Sequence, residues 1–288
     1  MRLGRTYAWL VMGPAALLLA SVFFAPLVYF FRYAFSDAGS RESATGLTFS
    51  NFIAVLSDDH EVGIILQSIL IAVIATFACL VIGFPVALLM RAAQPRLKAF
   101  LIVMCIFPLL TGSVVRTIGW QAIFGYSGAL NSVLLGLGLI DEPLELFRNA
   151  SMVTVVIVSI VLSFMVLLLH SSLEQVDPNT ERAATMLGAG PFRTFWQVTL
   201  PQVIPGVVAG TSLIFVVSVN AYATPVLIGA GQVPMIAPRI YQIVGVQGDF
   251  AIGAAFSAIA VVLFVAIIAV YGMLMRRQFQ SWKGGETS

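Results

Sequence analysis

The sequence predicts an all-α integral membrane protein with six membrane-spanning helices. Of its 288 residues, 59% are hydrophobic and only 10% are charged, which leaves too few polar side chains to cover a water-soluble globule. Apolar runs that are long enough to cross a hydrocarbon layer of about 30 Å as helices recur along the chain. Basic residues concentrate in alternate connecting segments, which is typical of a chain that crosses the membrane repeatedly.

The first apolar run follows Arg2 and Arg5. It is longer than the hydrophobic region of a cleaved secretory signal and lacks a small-x-small cleavage site, so we interpret it as a retained span. Six crossings place both termini on the same side of the membrane. The predicted spans cover approximately residues 7–31, 62–90, 99–124, 151–169, 203–229 and 250–275, in one transmembrane domain over residues 1–288.

The basic side chains predict the orientation. Of the 15 Lys and Arg residues, ten fall in one set of connecting segments and five in the other, so the positive-inside rule makes the first set cytoplasmic. The ten are Arg2, Arg5, Arg91, Arg96, Lys98, Arg182, Arg193, Arg276, Arg277 and Lys283, and the five are Arg32, Arg41, Arg116, Arg148 and Arg239. Both termini and residues 177–201 are therefore expected in the cytoplasm.

Residues 177–201 are too polar for lipid and too patterned for a loose loop. Asp177 can cap a helix that Pro178 opens, and Gly188 can end it in the left-handed conformation. Gly190-Pro191 then starts a second short helix before Leu200-Pro201 leads into the fifth span. The second helix carries the rings of Phe192, Phe195 and Trp196. The pattern predicts two helices joined by a hinge.

The sequence contains no catalytic or metal-binding constellation. It has no phosphate-binding loop, no H-E-x-x-H zinc motif and no Cys or His cluster with ligand spacing, so we expect no enzymatic activity and no metal site. No Asp or Glu lies in the middle of a predicted span, which argues against a carrier driven by protons or sodium ions. Energy for uphill transport would have to come from a partner.

Two sets of polar and aromatic residues are candidates for a transport pathway. In the third span the set is Ser113, Arg116, Thr117, Trp120 and Phe124, at helical spacings of three and four. In the fifth span Ser218 and Tyr222 would share a face, with Asn220 and Thr224 beside it. Small polar residues also pack membrane helices together, and this alternative stays open for each residue. We expect Arg116, 18 residues past Lys98, near the outer boundary.

Residues 177–201 resemble the cytoplasmic EAA loop of ABC importer permeases, whose pattern is Glu-Ala-Ala, three residues, Gly, nine residues, Ile-x-Leu-Pro. The matching positions are Ala183, Ala184, Gly188, Val198 in place of Ile, Leu200 and Pro201. The Glu position holds Arg182, with Glu181 one residue earlier, which puts the usual Glu contact in doubt. Four further segments, VVRTIGW, YSGALNSVL, NAYATPVLIG and MIAPRIYQ, are similar to the polyamine-type subgroup of type I importer permeases.

The resemblance implies the type I importer permease fold, with a coupling helix between helices 4 and 5. It also implies a second homologous permease, an ATP-binding-cassette ATPase dimer that holds the ATP-Mg, and a periplasmic substrate-binding protein. The chain would need no cofactor, would lie among lipids of the bacterial inner membrane and would bind no nucleic acid. The expected coupling residues are Glu181, Arg182, Ala183, Ala184, Leu187, Gly188, Leu200 and Pro201.

The resemblance favours a polyamine such as spermidine or putrescine as the solute. Trp120 and Tyr222 could hold a polyamine through cation-π contacts, whereas Arg116 would repel a polycation and favour an anion. The subgroup is also similar to permeases for opines, phosphonates, thiamine and iron, which stay open as alternatives. A carrier that works without an ATPase is a less favoured interpretation.

Overall fold

The computed structural model describes the backbone of residues 3–36 and 48–283, and Arg2 and Arg41 lie outside this part of the chain. The described residues form α-helices, turns and two π-helical segments, Phe195–Thr199 and Gln242–Val246. The α-helices are α1 (Leu3–Ala34), α2 (Ser50–Ser57), α3 (Asp59–Ala92), α4 (Pro95–Leu110), α5 (Ser113–Phe124), α6 (Ala129–Gly136), α7 (Ala150–Glu174), α8 (Pro178–Met186), α9 (Pro191–Thr194), α10 (Leu200–Val219), α11 (Ala223–Leu227), α12 (Ile236–Tyr241) and α13 (Phe250–Lys283).

Five helical stretches in the described residues are long and apolar enough to cross a membrane. They are Leu17–Ala34, Asp59–Ala92, Ala150–Glu174, Pro191–Val219 and Phe250–Met273. A sixth crossing arises if the bent pair Pro95–Leu110 and Ser113–Gly136 is one span. The predicted all-α membrane fold is confirmed.

The third predicted span, residues 99–124, is wrong as a continuous helix. The chain bends by 97° between Pro95–Leu110 and Ser113–Gly136. Thr111 (ψ 127°) and Gly112 (ψ 147°) are extended, and Thr111 N donates to the Pro108 carbonyl at 3.2 Å. Glycine in a helix interior is about 1 kcal/mol less favourable than alanine, so Gly112 favours a break here. Residues 98–116 therefore do not form one straight helix, and the helical rise per residue does not give the depth of Arg116 in the membrane.

The fifth predicted span is also interrupted. Helix α10 ends at Val219, and Asn220 (ψ 11°) leaves the helical conformation before α11 begins at Ala223. Pro225 lies inside α11 and cannot donate to the carbonyl four residues earlier, so a continuous helix is disfavoured. Ser218 and Tyr222 therefore do not share one helix face, which corrects the prediction.

The start of the fifth span differs from the prediction too. Helix α9, the first π-helical segment and α10 form one helical stretch, Pro191–Val219. The predicted second short helix is thus the beginning of the span, and Leu200-Pro201 does not interrupt it. Proline is tolerated at this position because the π-helical turn before it changes the hydrogen-bond ladder.

The helices divide into two compact units. One comprises Met1–Gly63 and Arg239–Leu263, and the other Ile64–Pro238 and Phe264–Ser288. In the first unit, Arg239 donates to both carboxylate oxygens of Glu61 through Nε at 3.0 Å, and its Nη2 also contacts this carboxylate. The single-domain interpretation of residues 1–288 stays a prediction.

Helix α7 is the centre of the second unit, with 56% of its span buried. Helix α10 packs closely against it at two glycines. A Cβ atom on Gly206 would lie 1.7 Å from Ser172 Oγ, and one on Gly210 would lie 3.1 Å from Met165 Sδ. Glycines four residues apart allow such backbone approach between membrane helices. This contact packs together the two membrane helices that precede and follow segment 177–201.

Candidate functional site

Helix α8 has the predicted caps at both ends. The Asp177 carboxylate accepts a hydrogen bond from Asn179 N at 2.9 Å, and Pro178 is the first helical residue. At the other end Gly188 has φ +85°, and Ala189 N donates to the Ala184 carbonyl at 3.0 Å. This left-handed glycine turn ends the helix and reverses the chain before Pro191.

Glu181 joins α8 to two other elements. Arg91 at the end of α3 donates to both its oxygens, at 2.8 Å from Nη1 to Oε1 and 3.0 Å from Nη2 to Oε2. Thr199, in the first π-helical segment, donates to Oε1 at 2.6 Å. We call Arg91, Glu181 and Thr199 the coupling network. It fixes the inner face of α8 against the ends of α3 and α10.

The coupling network is partly shielded from water, since the side chains of Arg91 and Glu181 are 20% and 27% exposed. Burial alone would raise the pKa of Glu181. The hydrogen bonds from Arg91 and Thr199, together with the Arg91 charge, outweigh burial and hold the pKa below its ordinary value. Glu181 is therefore ionised at neutral pH, where its carboxylate holds α8 through the hydrogen bonds from Arg91 and Thr199.

The opposite face of α8 is exposed. Met186 and Leu187 are 87% and 89% exposed at the tip, and Arg182 and Ala183 are exposed beside them. Met186 was not among the predicted coupling residues, although an apolar Met-Leu pair before a helix-ending glycine on an otherwise polar helix is a usable signal. We call Arg182, Ala183, Met186 and Leu187 the α8 tip surface.

Five of the predicted coupling residues do not lie on the α8 tip surface: Glu181, Ala184, Gly188, Leu200 and Pro201. Ala184 is half-buried, and Gly188 ends α8 behind the tip. Glu181 is occupied within the chain by Arg91 and Thr199. Leu200 and Pro201 are half-buried in the first turn of α10. Close to them, Gln202 donates to Thr180 at 3.3 Å, so this part of α10 holds the first turn of α8.

The predicted pathway residues of the third span lie on α5, where their hydrogen bonds reach α7 and α11. Thr117 is buried and donates to the Ser113 carbonyl at 2.8 Å, and its hydroxyl lies 3.3 Å from that of Thr224 on α11. Trp120 stacks on Phe124 with ring centroids 5.0 Å apart. The sequence prediction that these side chains share a helix face is compatible with the α5 helix.

Arg116 connects α5 to the middle of α7. Its Nη1 donates to the Ile160 carbonyl at 2.9 Å, while its Nε is buried without a partner among the described residues. A guanidinium with an unused buried donor is uncommon, because such a donor has lost its water without a replacement. Arg116 is therefore the most unusual polar group of the predicted pathway set.

The fifth-span pathway residues are dispersed. Ser218 is fully buried on α10, and its hydroxyl has no partner within residues 3–36 and 48–283. Asn220 is exposed after α10, where its side chain donates to the Val216 carbonyl at 2.9 Å. Tyr222 is 42% exposed. In the described part of the chain, no group of three or more His, Cys, Asp or Glu side chains could hold a metal ion.

This architecture is that of a multi-pass helical membrane protein with a capped polar helix between two spans. The family of binding-protein-dependent transport system inner membrane components matches residues 99–282, and the chain belongs to this family. It is a permease subunit of an ABC importer and a multi-pass protein of the inner membrane. It is not the enzyme of that system.

Individual relatives agree with this assignment. The spermidine/putrescine transport system permease protein PotB of Escherichia coli (strain K12) is 32% identical over 225 residues, 78% of this chain and 81% of that protein. PotB of Haemophilus influenzae is 29% identical over 233 residues, 81% of each chain. The putative 2-aminoethylphosphonate transport system permease protein PhnU of Salmonella typhimurium is 26% identical over 275 residues, 95% of this chain and 93% of that protein.

Solved structures show the same fold. A chain of a bacterial alginate ABC transporter, in complex with an alginate pentasaccharide-bound periplasmic protein, superposes with a TM-score of 0.79 at 14% identity, over 95% of this chain and 96% of that chain. A chain of the MetNI methionine ABC transporter in an inward-facing conformation gives a TM-score of 0.52 at 17% identity, over 77% and 95%.

Proposed function

We propose that the α8 tip surface is the contact through which this permease receives the conformational change of its ATPase. The observation that supports it is the pair of exposed side chains, Met186 and Leu187, on a helix fixed at its base by the coupling network. Large apolar side chains at an exposed tip are typical of a surface that another protein covers. Gly188 ends the helix directly behind them and shapes this tip.

The proposed assembly contains a second homologous permease, an ATP-binding-cassette ATPase dimer and a periplasmic substrate-binding protein. Both termini lie in the cytoplasm with α8, as the distribution of Lys and Arg favours. The ATPase subunits bind ATP-Mg, and this chain uses no cofactor of its own. ATP binding closes the ATPase pair, the α8 helices move together and the path opens outward to accept solute.

We propose a polyamine of the spermidine or putrescine kind as the solute. The similarity to PotB over about four fifths of both chains supports this choice. Trp120 on α5 and Tyr222 near α11 supply aromatic faces of the kind that attract ammonium groups. The predicted pathway set, Ser113, Arg116, Thr117, Trp120, Ser218, Asn220 and Tyr222, remains a proposal in this role.

A phosphonate is the second candidate. Its support is Arg116, whose positive charge favours an anion, together with the similarity to PhnU over 95% of this chain. A solute that carries both an ammonium and a phosphonate group would use the aromatic rings and the guanidinium together.

The test begins with the tagged chain purified from native membranes in mild detergent, with mass spectrometry of the proteins that accompany it. We expect an ATPase, a second permease and a binding protein. The complex is then reconstituted in liposomes, and uptake of radiolabelled spermidine and of 2-aminoethylphosphonate is measured with ATP and with a non-hydrolysable analogue. ATP-dependent spermidine uptake supports the first candidate, and phosphonate uptake alone supports the second. Uptake by the lone chain without an ATPase would contradict the permease assignment itself.

A further inference from the structure

Helix α2 divides its surface into three sectors. At 3.6 residues per turn, successive side chains are about 100° apart, which separates its residues into three groups. The buried sector is Asn51 and Val55, each 1% exposed. The apolar exposed sector is Phe49, just before the helix, with Ile53 and Leu56, at 65%, 63% and 58% exposure. The third sector, which we call the small polar sector, holds the serines Ser50 and Ser57 with the small residue Ala54, all exposed.

The buried sector fixes the rotation of α2. Asn51 Nδ2 donates to the Ala34 carbonyl at 3.1 Å and to the Ser36 carbonyl at 2.7 Å, and so fastens α2 to the end of α1. The half-buried ring of Phe52, between the buried and the apolar exposed sectors, lies 5.0 Å from that of Phe35. Since these contacts hold one side of the helix, the other two sectors face fixed and different surroundings.

The flanking segments place α2 at the level of a membrane boundary. The apolar stretch Leu17–Ala34 ends just before it, and Tyr29 and Tyr33 lie in the last turns of that stretch, as is typical of membrane–water interfaces. Asp58 and Asp59 follow α2 directly and require water. Eight residues of helix extend about 12 Å, which is too short to cross the hydrocarbon layer.

We propose that α2 is an interfacial helix that lies in the plane of the membrane. Phe49, Ile53 and Leu56 enter the acyl-chain boundary, while the small polar sector faces the headgroups and water. Lipid is the occupant because α2 is fastened to the end of α1, whose apolar span is only 6% buried and exposes large apolar side chains. A helix with one apolar sector and one polar sector binds such a boundary through its buried apolar area. The proposal is independent of the solute.

Site-directed spin labelling of the assembled importer in liposomes tests this placement. Both native cysteines, Cys79 and Cys105, are replaced by alanine, and single cysteines are introduced as Ile53→Cys or Ser57→Cys. ATP-dependent uptake by each labelled complex confirms that it is folded. Collision rates of the nitroxide with oxygen, which concentrates in lipid, and with a water-soluble nickel chelate are then compared.

We expect the label at residue 53 to collide mainly with oxygen and the label at residue 57 mainly with the nickel chelate, with the oxygen-to-nickel ratio several times higher at residue 53. Equal ratios at the two positions, or nickel access at residue 53, would overturn the proposal. Exclusion of both reagents from residue 53 in the complex would also overturn it, because a protein subunit would then cover the apolar sector.

A charged pair of variants provides a second measurement. Ile53→Asp places a carboxylate in the apolar sector and Ser57→Asp places one in the polar sector of the same helix. We expect Ile53→Asp to lower the amount of complex recovered from membranes several-fold and Ser57→Asp to leave it unchanged. The same recovery for both variants would argue against a lipid-facing sector.

Discussion

The coupling network and the predicted pathway set are both polar groups in an apolar protein, yet they differ in how their polar atoms are satisfied. In the coupling network both oxygens of Glu181 accept hydrogen bonds, from Arg91 and Thr199. In the pathway set, Arg116 Nε and Ser218 Oγ are buried without partners in the described part of the chain. Both carboxylate oxygens of Glu181 are hydrogen-bonded within the chain, whereas the pathway set keeps two buried polar atoms without a partner among the described residues.

This difference predicts two kinds of mutational effect. The coupling network fixes α8, so its loss should loosen the contact with the ATPase and lower the stability of the segment. The pathway set contributes fewer complete contacts, so substitutions there should alter transport more than stability. Stability and transport are therefore measured as separate quantities.

The largest effect is expected for Glu181→Ala. This substitution leaves the part-buried Arg91 guanidinium without its carboxylate partner. Hydrogen bonds to a charged group contribute about 1.5–3 kcal/mol to the free energy of unfolding, and the partial exposure of both side chains reduces this contribution. ATPase stimulation by the loaded binding protein should fall strongly, because α8 is no longer held. Stimulation is measured with purified complexes, and Asn179→Ala, an exposed residue on the same helix that lies outside the α8 tip surface, is the control.

A double-mutant cycle sharpens this result. If Arg91 and Glu181 act together, Arg91→Ala should add little to Glu181→Ala, so that the two effects are strongly non-additive. If the double variant instead lost as much thermal stability as the two single variants together, the bidentate contact between Arg91 and Glu181 would not be the stabilising interaction.

The pH dependence of stability should carry the signature of Glu181. Because its pKa is lower in the folded protein, the stabilisation is complete above the unfolded carboxyl pKa of about 4.3 and is lost as the pH falls through the folded value. The stability difference between the native chain and Glu181→Gln should therefore be constant near neutral pH and shrink below about pH 4.3. Thermal unfolding of both proteins across this range measures it. A difference that grows as the pH falls would contradict the assigned direction.

Gly188→Val is expected to have the next largest effect. A Cβ on Gly188 would meet nothing within 4 Å, so the strain comes from its φ of +85° and amounts to about 1–2 kcal/mol. We expect ATPase stimulation to fall while the membrane helices remain folded.

Gly190→Val is the matched control for this substitution. Gly190 has φ −69° and equally open surroundings, so valine fits its backbone. Stimulation is compared in the two complexes at equal assembly. Equal stimulation in both would indicate that the left-handed turn is not needed for coupling.

Arg116→Met tests the pathway set. The loss of one hydrogen bond to the Ile160 carbonyl also removes a buried unpaired donor, so the net change in stability should be below about 1 kcal/mol. Solute uptake should change by about tenfold or more if the guanidinium contacts the solute. Uptake is measured for spermidine and for 2-aminoethylphosphonate. Uptake that falls only in proportion to stability would assign Arg116 a packing role.

The sequence was sufficient for the features that depend on local chemistry. Asp177, Pro178 and Gly188 bound α8 as predicted, since capping and a positive φ are properties of a few adjacent residues. The break at Thr111–Gly112 was not predicted, because the helices on either side of it are together long and apolar enough to form one span. The bond from Arg91 to Glu181 joins residues 90 positions apart, and no local pattern indicates it. Tertiary contacts of this kind determine which of the predicted coupling residues are exposed.

The smallest effect is expected for Arg182→Glu. Arg182 is exposed and has no hydrogen bond within the described residues, so stability should change by less than about 0.5 kcal/mol. Glu181 is already occupied by Arg91 and Thr199 and cannot simply take over an outward contact. If the ATPase pairs with the charge of Arg182, reversal should weaken its association by about fivefold at low salt and less at high salt. Arg182→Lys keeps the charge and should associate normally. Unchanged association of Arg182→Glu at both salt concentrations would show that the α8 tip surface binds through Met186 and Leu187 alone.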